Sequence, residues 1–265
     1  MAHYLRDEQL FNITIDGDVI AQVIDVFMSR QVSMPENNDS PADPSQPATH
    51  LSFTIRFDGK GYRVFSLDSL LQHFKQATDV ERVIFDLDSS KSIKSNKSVG
   101  SYLELKLDKN ENATSFLSVA SDDEDWTNNT FVAVKEVVNR ARNRNGLVRN
   151  PWTGLLIQVI GLLIGFLASL WGASIISPSL TIENAFLISF LLVLLLFSNM
   201  WTHIYQWLNK IVSRVYPIIR FYRPNKDRLH WLYQTVLGGI VVAVALFFLN
   251  KTFSYAGKLL GAFIN

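Results

Sequence analysis

The stretch "WTGLLIQVIGLLIGFLASLWGASII", residues 152–176, contains no charged residue and decides the fold class of this chain. It belongs to a run of 33 uncharged residues between Arg149 and Glu183. Uncharged runs of 26 and 22 residues follow, at 184–209 and 229–250. A helix needs about 20 mostly apolar residues to cross the hydrocarbon core of a bilayer. The sequence therefore predicts an all-α membrane domain, 150–265, with three transmembrane helices at about 152–175, 184–207 and 230–250.

The charges divide the chain into two parts of opposite sign. Residues 1–139 hold 13 Lys and Arg against 22 Asp and Glu, a net charge of −9. The remaining residues hold 12 against 2, a net charge of +10. An acidic soluble region disfavours nucleic acid as a partner, because nucleic-acid binding needs a basic surface. The chain has no cysteine, which excludes disulfides and thiolate metal sites.

The basic residues predict the orientation of the spans. Cytoplasmic loops carry an excess of Lys and Arg, whereas the connection between the first two spans, 177–184, has neither. We therefore expect a multi-pass protein of the cell (inner) membrane, with a cytoplasmic N-terminus, an external C-terminus and no cleaved signal peptide. The arginines expected at the cytoplasmic membrane interface are Arg140, Arg142, Arg144, Arg149, Arg220 and Arg223. The segment that contains the last two is either an amphipathic interfacial segment or an extension of the second span.

Small residues recur along one face of the first span. They are Gly154, Gly161, Gly165, Ala168 and Gly172. A face of small residues lets two helices approach closely, which stabilises helix pairs in lipid. This pattern fits packing within the chain and packing against a second copy equally well, so both remain open. No Asp, Glu, Lys, Arg or His lies at the middle of a span, which disfavours an ion or proton pathway.

The region before the spans has the pattern of a cytosolic α+β domain, an antiparallel sheet of hairpins with two or three helices. Residues 1–32 predict an N-terminal strand, at 11–15, and a helix of this domain, and 49–145 predict its main part. The four prolines of 33–48 predict a disordered linker between them. Turn residues at 58–61 and 109–113 each separate two strand-like segments, as in β-hairpins. We expect Ser66 to be the N-cap of a helix.

One motif in this region suggests chemistry. The segment "VIFDLD", residues 83–88, resembles the first motif of the haloacid-dehalogenase phosphatases. The resemblance implies that Asp86 attacks phosphorus, that Asp88 handles the leaving group, and that the sheet alternates strands with helices. It also implies a downstream lysine and acid pair, for which Lys106 and Asp122–Asp123 are available. The chain departs from the pattern at Ser89–Ser90, where the family has Gly-Thr, and predicted hairpins flank the motif. We therefore expect Asp86 to point outward from an ordinary strand between buried Phe85 and Leu87.

The loop that follows is a second candidate site. Lys91, Lys94 and Lys97 recur at every third residue among serines. Such a segment can bind a phosphate-bearing ligand, or it can be a solvated loop with solubilising charges. The pattern alone does not decide between these interpretations.

Three functional hypotheses follow. The first is a non-enzymatic multi-pass membrane protein, a signalling or effector protein, whose cytosolic domain recognises a protein or small ligand while the spans anchor and assemble it. The second is a membrane effector or pore that oligomerises when a ligand binds. The third is a phosphatase. We favour the first hypothesis, with no catalytic residue, cofactor or metal. The expected partners are the lipid bilayer, a cytosolic protein or small ligand and a second copy of the chain.

Overall fold

The computed structural model describes residues 3–35, 48–110 and 113–223, together with seven single residues between 232 and 250. Most of the predicted linker, 33–48, and most of the third predicted span, 230–250, lie outside these residues. The chain forms two compact units. The first combines Met1–Gly146 with Pro217–Asp227, and the second combines Leu147–Tyr216 with Arg228–Asn265.

The first part of the chain contains strands and helices, the last of which is a helix of a single turn. In chain order they are β1 (Tyr4–Gln9), β2 (Ile13–Ile15), α1 (Gly17–Val32), β3 (Thr49–Phe57), β4 (Lys60–Val64), α2 (Leu67–Gln76), β5 (Val80–Ser89), α3 (Ser90–Lys94), β6 (Tyr102–Asp108), β7 (Phe116–Ser121), α4 (Glu124–Arg140) and α5 (Asn145–Val148). They are followed by α6 (Pro151–Ile176), a 3-10 turn (Ser177–Ser179), α7 (Ala185–Val215) and β8 (Ile219–Phe221).

The first unit is built on a six-stranded sheet in the order β1-β7-β6-β5-β3-β4. All its neighbouring strands are antiparallel, so the predicted α+β domain of hairpins is confirmed. The pairs β3–β4 and β6–β7 are the two predicted hairpins. The edge strand β1 was missed in the sequence, because its side chains are largely exposed and lack an apolar alternation.

Helices α1, α2 and α4 cover one face of this sheet and bury its apolar side chains. The ring of Phe85 on β5 lies 5.7 Å from that of Phe27 on α1 and 5.8 Å from that of Phe53 on β3. Each helix begins at a side chain that accepts a hydrogen bond from its first turn, and the predicted cap Ser66 accepts one from the Ser69 amide. Side chains at intervening positions of β5, Asp86 among them, point to the opposite face, which we call the outer face.

The first unit is completed by a segment that follows the second long helix. In this segment, 217–223, which we call the strap, β8 pairs parallel with β2 and buries Ile219 and Phe221. The guanidinium of Arg223 donates hydrogen bonds to the carbonyls of Ala77 and Thr78, just after α2. We expected Arg223 at the membrane surface, within the predicted membrane domain, but its side chain is buried here. A three-residue strand is too short to show a recognisable alternation of apolar residues, so the sequence did not indicate that this segment belongs to the first unit.

In the described part of the second unit, two helices, α6 and α7, are long and apolar enough to cross a membrane. They correspond to the first two predicted spans, and α7 continues to Val215, beyond the predicted end of span two at about 207. Arg220 and Arg223, whose segment we expected to be interfacial or an extension of this span, lie beyond α7 in the strap. The helix does not continue into the strap, which begins at residue 217 and contains β8. The third predicted span lies largely outside the described residues, so the structure bears on two spans.

The small face of α6 packs against α7 of the same chain. A methyl group added at Gly161 would lie 1.9 Å from the indole of Trp201, and one at Gly165 would lie 2.3 Å from the ring of Phe197. Along α6 the buried residues are Gly161, Gly165, Ser169 and Ala173, at intervals of four. Ala168, which we placed on this face, is only half-buried, because a four-residue ridge shifts the contact to Ser169. Gly154 and Gly172 also approach α7, at Tyr205 and Val193.

Candidate functional site

The outer face of the sheet brings acidic side chains of neighbouring strands together. Asp86 on β5 is paired in register with Glu104 on β6, and Asp88 lies two residues further along β5. Like charges placed directly opposite each other on adjacent strands are destabilising. A local cation is therefore needed to hold these three carboxylates together.

Lys97 supplies that cation from the turn after α3. Its ammonium donates a hydrogen bond of 2.6 Å to Glu104 Oε2 and lies 3.8 Å from Asp86 Oδ1 and 4.0 Å from Asp88 Oδ1. Asp88 also accepts a hydrogen bond from the Ser92 hydroxyl, which ties α3 to β5. The backbone makes this approach possible, because Asn96 and Lys97 both adopt a positive φ.

The environment changes the pKa values of this cluster. Burial raises the pKa of Asp86 to about 6 from its usual 3.8; Lys97 opposes this shift, while Glu104 and Asp88 add to it. Burial likewise raises the pKa of Asp88. Burial works against the charge of Lys97, but its hydrogen bond to Glu104 and the surrounding carboxylates outweigh that effect and raise its pKa. Lys97 therefore stays charged, while the pKa of Asp86 lies closer to neutral pH than that of an ordinary aspartate.

Asp86, Asp88 and Lys97 line a cleft that we call the outer-face pocket, and Glu104 lies beside it, bonded to Lys97. The volume of the pocket is about 570 Å³. It is lined by Thr49, His50, Leu51, Ser52, Arg63, Phe65, Asp86, Asp88, Ile93 and Lys97. Strands β3 and β5 form the floor, β4 and the following residue form one wall, and α3 with its turn forms the other. A concave site with a few polar groups and a perturbed pKa is the usual setting for ligand binding.

The lysines predicted to bind a ligand do not converge. Lys91 and Lys94 are exposed on α3, whereas Lys97 is half-buried and bonded to Glu104. This geometry does not supply three free cations for a phosphate. Among the described residues, Lys97 is the lysine that lines the pocket, and it already donates a hydrogen bond to the carboxylate of Glu104.

The phosphatase-like motif also lies in a different setting from the one that the resemblance implies. Asp86 is in the middle of β5, whose neighbours β3 and β6 are both antiparallel to it. Of the residues that the resemblance would require, Lys106 lies over the ring of Phe116 and Asp123 caps α4. Asp122 contacts His3. In the described part of the chain, no group of three or more His, Cys, Asp or Glu residues could hold a metal ion.

The predicted interface arginines are dispersed over the two units. In the first unit, Arg140 pairs with Glu136 in the last turn of α4, and Arg220 lies over the ring of Tyr222. Arg142 forms an isolated bridge with Ile13, and Arg144 is exposed. In the second unit, Arg149 donates a hydrogen bond of 2.8 Å to the Ser213 hydroxyl, which links the start of α6 to the end of α7.

Four residues around the pocket were not foreseen. Glu104, Arg63, His50 and Phe65 come from three strands or their ends. The sequence shows that Asp86 and Glu104 each point away from a buried neighbour, but it does not give the register that pairs them. That register follows from the six-strand order, in which β5 lies between β3 and β6.

A second cavity, of about 550 Å³, runs along the α6–α7 hairpin. Its polar lining consists of Gln158, Ser198, Thr202 and Tyr205, and its other lining residues are glycines, leucines and aromatic residues. Among the described residues, no acidic or basic side chain lines it. The cavity therefore offers no proton-relay chemistry of the kind that intramembrane ionisable residues provide.

In comparisons with known proteins, no protein-family model, no curated protein and no solved structure matched this chain significantly.

Proposed function

We propose that this chain is a non-enzymatic membrane-anchored recognition protein. Its first unit is a cytosolic domain that binds a protein or small ligand in the outer-face pocket. The hairpin of α6 and α7, together with the uncharged segment 229–250, anchors this domain in the cell membrane. In this arrangement the N-terminus is cytoplasmic, and three spans bring the C-terminus to the outside.

The observation that carries the proposal is the interruption of one folded unit by an apolar hairpin. The first unit contains residues before α6 and, in the strap, residues after α7. A domain folded from both segments must lie on one side of a bilayer, so the hairpin between them crosses twice or not at all. Its large apolar side chains favour crossing, since Leu162, Leu195 and many others are exposed. Water would make such an exposed apolar surface costly, whereas lipid would not.

The small face of α6 gives less support to an oligomerising effector or pore. Gly161 and Gly165 contact aromatic side chains of α7 in the same chain. A second copy would therefore need another surface, or would have to displace α7. We retain recognition and anchoring as the proposed function.

Cysteine labelling tests the topology directly, because the natural chain has no cysteine. Two exposed positions are suited to single substitutions, Ser179→Cys between α6 and α7 and Lys60→Cys in the β3–β4 turn. A membrane-impermeant maleimide added to intact cells should label Ser179→Cys and should label Lys60→Cys only after lysis. Recovery of the chain in the soluble fraction, or labelling of both positions in intact cells, would refute the proposed anchoring.

A further inference from the structure

The outer-face pocket contains a carboxylate, that of Asp86, which shares the charge of Lys97 but accepts no hydrogen bond from the described residues. Among the described residues, none donates a hydrogen bond to Asp86, and the ammonium of Lys97 stays 3.8 Å from its Oδ1. The side chain of Asp86 nevertheless retains only 19% of its exposure. A partly buried carboxylate without donors loses hydration and gains little in return. A ligand that donates to Asp86 would remove this deficit.

The charges around the pocket determine which donor fits. Asp86, Asp88 and Glu104 carry three negative charges, and Lys97 and Arg63 carry two positive charges. These five side chains leave one negative charge in excess. The hydrogen bond of Lys97 goes to Glu104, that of the Ser92 hydroxyl goes to Asp88 Oδ1, and both aspartates line the cleft. A ligand with a single positive charge neutralises this site, whereas an anion would add to the repulsion.

Apolar side chains rise on both sides of this polar floor. Phe65 is 73% exposed on the β4 side and Ile93 is 52% exposed on the α3 side. An exposed phenyl ring attracts a cation over its face. Both side chains can also pack against the methylene stem of a long cationic group, in the way that lysine and arginine stems pack against apolar surface.

From the unbonded carboxylate, the charge excess and the two apolar walls, we infer that the outer-face pocket binds an organic cation, an ammonium or guanidinium group on an aliphatic stem. The cation donates to Asp86 and Asp88, and its stem lies between Phe65 and Ile93. The same chemistry occurs in a free alkylamine and in a lysine or arginine side chain of a partner protein. This inference rests on the proposed recognition function and specifies its ligand.

Calorimetric titration of the full chain in zwitterionic lipid nanodiscs tests the inference, with empty nanodiscs as the blank. The probes are pentylamine, butylguanidine and hexanoate, the last matching pentylamine in chain length with the opposite charge. Blocked Ala-Lys-Ala and Ala-Arg-Ala peptides separate the two sources of the cation. We expect the two free cations to bind with a dissociation constant on the order of 1 mM, which is typical of such small ligands. Hexanoate should not bind.

Substitutions locate the binding. Asp86→Asn should weaken cation binding at least about tenfold, since a bond to a charged group is lost, and Phe65→Ala should weaken it by a smaller factor. The matched control is Asp7→Asn, because Asp7 is exposed on β1 in the same cross-strand row as Asp86 and lies outside the pocket. Phe65 is so exposed that its removal should not unfold the domain.

Cation binding that is lost in Asp86→Asn and kept in Asp7→Asn supports the inference, whichever source binds more tightly. Tighter binding of the peptides would indicate a partner protein, and tighter binding of the free cations would indicate a small amine. The inference is overturned if neither cation binds, if hexanoate binds equally well, or if Asp86→Asn leaves binding unchanged. Any of these results together with the expected cysteine labelling would leave the anchoring proposal intact.

Discussion

The two units of this protein bury opposite kinds of side chain. In the first unit the contacts between elements are made by large apolar residues such as Phe27, Phe53 and Phe85, and polar residues face outward. In the α6–α7 hairpin the contact surface of α6 is made by glycine, serine and alanine, while leucines face outward. Hydrophobic burial in water explains the first arrangement. The second arrangement is the one expected for the lipid environment that our proposal assigns to this hairpin, where a hydrophobic driving force between helices is absent and close backbone approach stabilises the contact.

The largest expected effect comes from removing the strap, which joins the two units in sequence. A fragment ending at Gly146 lacks the buried side chains of Ile219 and Phe221. Burial of each such side chain contributes about 2–5 kcal/mol. The two contributions together approach the whole free energy of unfolding of a typical domain, about 5–15 kcal/mol. We therefore expect residues 1–146 alone to be largely unfolded, with a poorly dispersed amide NMR spectrum.

A matched fragment sharpens this test. The Asn145 side chain donates a hydrogen bond of 3.0 Å to the Pro217 carbonyl, so the chain ends meet there. A short Gly-Ser linker in place of 147–216 should therefore restore a folded soluble domain in a fragment ending at Arg223. Equal spectra from the two fragments would show that the strap is dispensable to the fold.

The next effect concerns the hairpin contact. Gly165→Leu places a side chain where the ring of Phe197 already lies, so we expect a loss of about 1–3 kcal/mol, as for other overpacked contacts. Thermal unfolding in nanodiscs measures this loss. The control is Ser174→Leu, an exposed position on the same helix that should tolerate a larger apolar side chain in lipid. A loss of stability in both variants, or in neither, would contradict the packing of the small residues of α6 against α7.

A smaller effect is expected on the outer face of the sheet. Because the folded pKa of Asp86, about 6, is above its usual 3.8, the folded state binds more protons than the unfolded state between these values. The stability contributed by this group therefore falls as the pH rises from about 4 to 6 and stays low above that range. Asp86→Asn should stabilise the chain by about 1 kcal/mol at pH 7.5, since solvent screens part of the full penalty.

The same substitution should change stability little near pH 4, where Asp86 is protonated in the folded state. Thermal unfolding at the two pH values measures the difference, and Asp7→Asn controls for the loss of a surface charge. A destabilised Asp86→Asn variant at pH 7.5 would show that Lys97 compensates the carboxylate fully.

The last prediction concerns phosphoester hydrolysis, for which we expect no effect. We expect phosphoester hydrolysis by the full chain to be at background level and unchanged by Asp86→Asn, because Asp86 lies mid-strand between antiparallel neighbours. Rates measured with a panel of aryl and sugar phosphates test this. Hydrolysis by the natural chain that disappears in the variant would restore the phosphatase hypothesis.

Local pattern was enough for the elements whose signal is strong. The hairpins around 58–61 and 109–113, the cap at Ser66 and the outward direction of Asp86 were all predicted and are confirmed. Each of these depends on neighbours within a few residues. The strand β1 and the strap were missed, because an exposed edge strand and a three-residue strand carry too little apolar alternation.

The candidate site could be predicted only in part. The sequence singled out Asp86, Asp88 and Lys97 from a motif and from a run of lysines, and the structure places all three at one pocket. The sequence did not connect these three residues, because Lys97 faces the aspartates only through the turn after α3 and the pairing of β5 with β6. Arg63 and Phe65 join them from a strand about 20 residues earlier, across the register of β3.

By itself, the sequence determined the acidic and basic parts of the chain, the antiparallel α+β class of the first and the two long apolar helices of the second. Such properties are set by composition and by side-chain period, which need no distant partner. Tertiary structure alone decided that the strap belongs to the first unit, that Trp201 and Phe197 fill the glycine face, and that three carboxylates share one lysine. Those outcomes depend on which residues come into contact when the chain folds. Strand order and helix pairing determine these contacts, and the local sequence pattern does not reveal them.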